Sequence, residues 1–290
     1  MINYNPKSWL HMIFALNKSD TLRILWKEIT YIGIFTLIIS YLEITYFPEA
    51  VVLEKLISVY SLIGFVISML LIFRTNTAYD RWWEGRKKWG ELVNDTRNLS
   101  VKLVAFIPSS NRDDLDFFRR MISNFVFATK EHLRGCILFE ELDLTEQELE
   151  YIKTKAHIPV AISQLIYTRL HKLKGNKFLS DEYFFIIDKN LNKLIDSLGA
   201  CERIKKTPIP FSYSLFIKKF IFIYVTTLPL AFVTIFGYFS SLIATFIFYV
   251  LVSIEVLAEE IEDPFGKDDN DLPMDQLCET IQTNVNEIFE

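Results

Sequence analysis

Long uncharged stretches of this sequence alternate with polar regions and predict membrane-spanning helices. Residues 28–47 are mostly apolar, residues 56–73 carry no charge, and residues 220–254 again carry none. A bilayer core about 30 Å thick needs roughly 20 apolar residues in a helix. The third stretch would reach about 50 Å as one helix at ~1.5 Å per residue. It therefore predicts two spans, with a turn near Gly237 and a kink at Pro229, and the whole pattern predicts four transmembrane helices.

The polar region between the second and third spans has helical rather than strand-like signals. Residues 74–107 continue the second span without a helix breaker, and another helix is predicted to run through Phe117 to about Leu138. Thr145 begins a capping-box sequence, and a long helix is predicted from Ser180 to about Lys206. The fold class is therefore an all-α membrane protein with a helical cytosolic region.

Lysine and arginine residues indicate how the spans are oriented. They cluster before the first span, after the second and before the third, whereas the link between the first two spans holds no basic residue before Lys55. The positive-inside tendency places both termini and the central region in the cytoplasm. The predicted segments are an N-terminal cytosolic or interfacial segment 1–27, spans one and two in 28–73, a cytosolic helical region 74–215, spans three and four in 216–258, and a C-terminal cytosolic segment 259–290.

Composition and motif content exclude several function classes. The net charge of −5 leaves no basic excess for neutralising phosphates, so no nucleic-acid partner is predicted. The three cysteines lie far apart and give no disulfide framework or zinc motif. The four histidines form no HExxH pair, and neither GxSxG nor a P-loop occurs, so no catalytic residues and no enzyme activity are predicted.

Three separated motifs resemble those of the bestrophin family of ion channels. They are FRTNTAYDRWWE at 73–84, GACERI with TPIPF at 199–211, and EEIEDPFG at 259–266. Their order and their spacing relative to the four spans match over essentially the whole chain, and their wording is closest to bacterial members. The resemblance implies a homopentamer around a central pore in the plasma (bacterial inner) membrane. Its implied partners are other copies of the chain, the lipid bilayer and small inorganic ions.

Two narrow points of a pore are implied by the resemblance. Phe65, Met69 and Phe73 lie four residues apart on one face of the second span, and they match the neck positions of the family. Without the resemblance this row would be read as ordinary helix packing. Rings of five such side chains could gate by dewetting. Phe185 matches the cytosolic aperture, although a place in the helix core is the alternative interpretation.

A calcium clasp is the one possible cofactor site that the resemblance implies. Its residues would be Glu260, Asp263, Asp268 and Asp271, whose carboxylates suit a hard cation. The alternative is that these carboxylates cap helices and pair with basic residues nearby. Calcium is therefore left open.

The ion selectivity of the chain and its function as a channel both have competing interpretations. The family is associated with chloride and other anions, whereas bacterial members have been described as conducting cations. A ring of Glu54 at the outer entrance is a hypothesis that would favour cations. The alternative function is a membrane-anchored helical scaffold or receptor without ion conduction.

Overall fold

The structure is a computed structural model that describes residues 21–47 and 56–290. The regular elements among these residues are α-helices and one short 3₁₀ helix, with no β-strand, which confirms the all-α prediction. Most of the predicted N-terminal interfacial segment and the Glu54 ring lie outside the described residues.

The helices are numbered here in chain order. They are α1 (Thr21–Tyr46), α2 (Ile57–Phe106), α3 (Arg112–Arg134), the 3₁₀ helix (Phe139–Glu141), α4 (Glu146–Lys153), α5 (Ile158–Gly175), α6 (Asp181–Lys206), α7 (Phe211–Thr227), α8 (Pro229–Phe236), α9 (Phe239–Glu262) and α10 (Met274–Phe289).

Four helices are long and apolar enough to cross a membrane: α1, α2, the pair α7–α8 taken as Phe211–Phe236, and α9. The predicted interruption at Pro229 is confirmed, because α7 ends at Thr227 and α8 begins at Pro229. The predicted turn is also confirmed, since Gly237 separates α8 from α9 with φ +54°, a conformation that favours glycine. As predicted, α2 continues without a break beyond its apolar part to Phe106.

The chain divides into two compact units. The first contains the described residues up to Trp82, Pro208–Asp263 and Asp268–Asn270, and it includes all four apolar stretches. The second contains Trp83–Thr207, Pro264–Lys267 and Asp271–Glu290.

Small and hydroxylated residues let α1 and α9 approach closely in the first unit. The Ser40 and Ser240 hydroxyls are 2.9 Å apart, and those of Thr36 and Ser241 are 3.0 Å apart. A Cβ atom on Gly33 would lie 3.3 Å from the Thr245 hydroxyl. Close backbone approach with hydroxyl contacts is typical of helix packing in membranes, where burial of apolar surface from lipid gives little driving force.

The second unit packs α3 against α5 and α10. Its core includes Phe118, Met121 and Phe125 on one face of α3, all with no exposed surface. The predicted capping box at Thr145 is confirmed, and so is the helix predicted from Ser180 to about Lys206, with Ser180 as the cap of α6. The helix predicted through Phe117 is α3, and its predicted end near Leu138 was wrong, because Gly135 with φ +74° terminates the helix after Arg134.

Candidate functional site

The predicted neck row lies on an exposed face of α2. Phe65, Met69 and Phe73 are 67%, 44% and 55% exposed in the single chain. The opposite face of the helix is buried, with Ile67 and Leu71 each only 1% exposed. The three side chains therefore do not belong to the core of their own chain, and their role in a neck stays a prediction.

Phe185 lies near the start of α6, which begins after the capping residue Ser180. Its side chain is 69% exposed, and its ring meets that of Phe184 edge-on with centroids 6.5 Å apart. The alternative interpretation of Phe185 as a core residue is therefore wrong for the single chain. Its role at an aperture stays a prediction.

An ion-pair cluster in the first unit joins residues from all three motifs. Arg74 is 1% exposed, and its Nη2 lies 2.6 Å from Oε2 of Glu262. Its Nε lies 3.7 Å from Oε2 of Glu255, which is equally buried. The second oxygen of Glu262, Oε1, accepts a hydrogen bond of 2.6 Å from the backbone N–H of Ile209. One carboxylate at the end of α9 thus binds the start of the first motif and the TPIPF segment.

Further bonds connect the first motif to the acidic segment within the same unit. Arg81 Nε donates to the backbone oxygen of Glu262 at 3.1 Å, and Trp82 Nε1 donates to that of Asn270 at 3.0 Å. The Asn270 amide donates in turn to Oε2 of Glu260 at 2.7 Å. The tryptophan and arginine side chains of the first motif therefore fix the backbone that carries the acidic residues.

Close packing in the second unit explains why the third motif contains Pro264 and Phe265. A Cβ atom on Gly85 would lie 3.1 Å from the ring of Phe265 and 3.2 Å from that of Pro264. Phe265 has no exposed surface. Only glycine leaves room for this phenylalanine, so the PFG sequence and the glycine in α2 form one packing unit.

The residues of the predicted calcium clasp occupy several distinct environments. Glu260 accepts the Asn270 amide, and Asp263 follows the last residue of α9. Asp271 is buried, with one carboxylate oxygen 2.6 Å from the position of a Cβ on Gly266. Across residues 21–47 and 56–290, the clasp residues do not belong to any group of three or more metal-ligating side chains with converging ligand atoms. Calcium therefore stays a possible cofactor that the family resemblance implies, beside the alternative that these carboxylates cap helices and pair with basic residues nearby.

The family described as "Bacterial/Fungal Bestrophin protein" matches residues 1–287. The chain belongs to the bestrophin family. A Nostoc protein named "Voltage-dependent anion channel-forming protein" is 34% identical over 97% of this bestrophin and 92% of its own length. The Escherichia coli protein "Voltage-dependent anion channel-forming protein YneE" is 33% identical, covering 78% of this chain and 74% of its own.

A solved structure of a bacterial bestrophin homologue from Klebsiella pneumoniae is also similar to this bestrophin. The TM-score is 0.83 at 28% identity, with 91% of this chain and 98% of the other covered. The similarity extends over both units, which agrees with the sequence prediction that the resemblance covers essentially the whole chain.

The motifs of this bestrophin are visible in its sequence, but the buried ion pairs that they form are not. Arg74, Glu255 and Glu262 were not predicted as site residues. A signal was present, because each is a charged residue beside an uncharged span, and intramembrane charges usually have a partner. The choice of partner is decided only by the packing of α2 against the other membrane helices.

Proposed function

We propose that this bestrophin forms a homopentameric channel through which small monovalent anions pass passively. Five copies of Phe65, Met69 and Phe73 would form three stacked apolar rings at the neck. The observation that carries the proposal is this exposed row on α2, in a chain that matches the family along nearly its full length.

The exposed row supports a neck because it lies opposite the face by which α2 packs in its own chain. Ring-shaped assemblies close around an axis through repeated copies of one interface, so five second spans can meet at the centre with this row inward. Narrow apolar rings conduct when wetted and block ions when water leaves them. A thioether in the middle ring is more flexible than an aromatic side chain, which makes Met69 the adaptable part of the neck.

Selectivity for anions is supported by the names of the relatives and by the chemistry of the rings. The Nostoc and Escherichia coli proteins are both named as anion channel-forming. The edges of phenylalanine rings carry partial positive charge, so rings of Phe65 and Phe73 tolerate an anion better than a bare cation.

The remaining parts of the proposal concern topology and the exit. Both termini and the second unit would lie in the cytoplasm of a bacterial cell, since basic residues flank the spans on that side. Phe185, exposed near the start of α6, would form the cytosolic aperture. We assign this chain no catalytic role.

The first test is the reversal potential of the purified protein in a planar bilayer under a KCl gradient. A value near the chloride equilibrium potential is expected. A value near the potassium potential would contradict anion selectivity while leaving the channel intact. Two results together would contradict the channel and favour the scaffold alternative. They are the absence of any ionic current and a particle mass far from five times the 34.1 kDa of one chain.

The second test compares phenylalanines of similar exposure in two spans. Phe65→Ala should raise conductance, because a smaller side chain widens and wets the ring. Phe246→Ala is the matched control, since Phe246 lies in α9 and is 64% exposed against 67% for Phe65. Equal effects of the two substitutions would argue against a neck at Phe65.

A further inference from the structure

Three side chains of the second unit meet at one point, and none of them is a residue of the proposed neck or aperture. His132 lies in the last turns of α3, His157 precedes α5 as its N-terminal cap, and Glu202 lies in α6. Nε2 of His132 is 2.5 Å from Oε1 of Glu202, and Nε2 of His157 is 2.8 Å from the same oxygen. Two imidazoles therefore point their Nε2 atoms at a single carboxylate oxygen.

The two rings also face each other closely. Their centroids are 4.3 Å apart with an interplanar angle of 31°, and the three candidate ligand atoms all lie within 4.8 Å of one another. In the part of the chain that the structure describes, this is the group of histidine, cysteine and carboxylate side chains that could share one metal ion.

Two imidazoles and one carboxylate form a donor set that proteins use to hold zinc. Typical distances are about 2.0–2.1 Å from zinc to histidine nitrogen and about 2.0–2.2 Å to carboxylate oxygen, in tetrahedral geometry. Ligand atoms in such a site are separated by roughly 3.4 Å. The present separations of 2.5 and 2.8 Å would each need to open by less than about 1 Å, a movement within reach of side-chain rotation.

The neighbouring charges are compatible with a bound cation. Burial opposes ionisation of Glu202, but hydrogen bonds from His132 and His157 outweigh it and hold the carboxyl pKa below its usual value. Lys206 Nζ lies 3.7 Å from the same carboxylate oxygen but is 69% exposed, so it can turn into water when a cation enters. The adjacent Glu131 is buried and pairs with Lys130 at 3.1 Å.

One local contact would change on metal binding. The backbone N–H of Val160 lies 3.5 Å from Nδ1 of His157, at the outer limit of a hydrogen bond. With the metal on Nε2, the neutral imidazole carries its proton on Nδ1, so this weak contact is lost. A small cavity of about 20 Å³ beside His132 has room for about one water molecule.

We propose that His132, His157 and Glu202 bind a divalent transition-metal ion of the zinc class, with water in the fourth position. The ion would join the end of α3, the start of α5 and the last third of α6. The site does not depend on the proposed channel function, because its three residues lie together in the second unit.

The experiment is a calorimetric titration of ZnCl₂ into the purified full-length protein in detergent, paired with Co²⁺ absorption spectroscopy. We expect one ion per chain and a Co²⁺ spectrum of tetrahedral nitrogen–oxygen coordination. His132→Ala and Glu202→Gln should weaken binding by at least about 100-fold, since even outer-shell changes at metal sites typically weaken it 10- to 100-fold. Glu202→Gln keeps the shape of the side chain, so it tests the site even if His132→Ala unfolds the chain.

His171→Ala is the matched control, because His171 is an exposed histidine of α5 in the same unit. It should bind zinc as the unmodified protein does. The proposal is overturned if the unmodified protein shows no saturable binding of Zn²⁺ or Co²⁺. It is equally overturned if the three variants lose binding to the same extent, or if Glu202→Gln binds as tightly as the control.

Discussion

Replacing Arg74 by methionine should destabilise the first unit strongly, because it leaves a buried carboxylate without its cation. Arg74 and Glu255 are each 1% exposed, and neither oxygen of Glu255 accepts a hydrogen bond from the described residues. Glu262 would lose less than Glu255, since it keeps its hydrogen bond from the Ile209 N–H and is 13% exposed to solvent. The uncompensated charge in Arg74→Met is therefore mainly that of Glu255.

The magnitude follows from the burial of this pair. Breaking a buried ion pair by removing one partner costs about 3–5 kcal/mol, whereas replacing both partners by apolar groups is often neutral. We expect about 3–4 kcal/mol for Arg74→Met, because Glu262 keeps part of its bonding. For a chain of this size 1 kcal/mol shifts the melting temperature by roughly 2 °C, which gives a fall of about 6–8 °C.

The assay is thermal unfolding in detergent, followed by tryptophan fluorescence at a fixed scan rate. Arg23→Met is the control, since Arg23 is an exposed arginine of α1, and it should melt close to the unmodified protein. Adding Glu255→Leu to Arg74→Met should recover most of the loss. The reasoning is refuted if Arg74→Met melts within about 2 °C of the unmodified protein, or if the double variant is less stable than the single one.

Three further predictions concern the second unit. Gly85→Ala should cost about 1–3 kcal/mol in thermal unfolding, because its Cβ would meet the buried Phe265 ring at 3.1 Å. Lys130→Met should lower the free energy of unfolding by about 3 kcal/mol. The buried Lys130 ammonium pairs with three carboxylates, and its loss would remove a cation from the buried Glu131. Burial raises the pKa of Glu148, but hydrogen bonds from Arg120 and Thr145 outweigh it and hold the pKa below its usual 4.5. The unfolded state therefore binds more protons, and this contribution to stability should be lost as pH falls from about 4.5 through the lower folded-state pKa, as melting temperature against pH would show.

Each of these three has a matched control in the same unit. Gly90→Ala should be neutral or stabilising, since the nearest atom to its Cβ is a flexible arginine nitrogen at 3.5 Å. Lys189→Met and Glu150→Gln alter exposed groups and should change melting little. A loss for Gly90→Ala equal to that for Gly85→Ala would contradict the packing argument. Likewise, Glu148→Gln should reduce the fall in melting temperature that occurs as pH drops below about 4.5. If that fall is unchanged in the variant, Glu148 is not its cause.

Features that depend on residues close together in the chain were predictable from the amino-acid sequence. The uncharged stretches predicted the four spans, Pro229 and Gly237 predicted the breaks between α7, α8 and α9, and Thr145 predicted a capped helix start. Each signal acts through local backbone geometry or through the cost of placing charge in lipid. The end of α3 was also marked locally, by Gly135, although the prediction extended past it.

Contacts between distant residues became known only from the packing of the helices. Arg74 pairs with Glu262 across almost two thirds of the length of the chain, and His132 and Glu202 meet across seventy positions. No local pattern encodes these pairs, because the choice of partner depends on how helix faces pack and on how deeply each side chain is buried. Burial is what makes the loss of one partner of the Arg74 pair costly, and burial is a property of the packed chain.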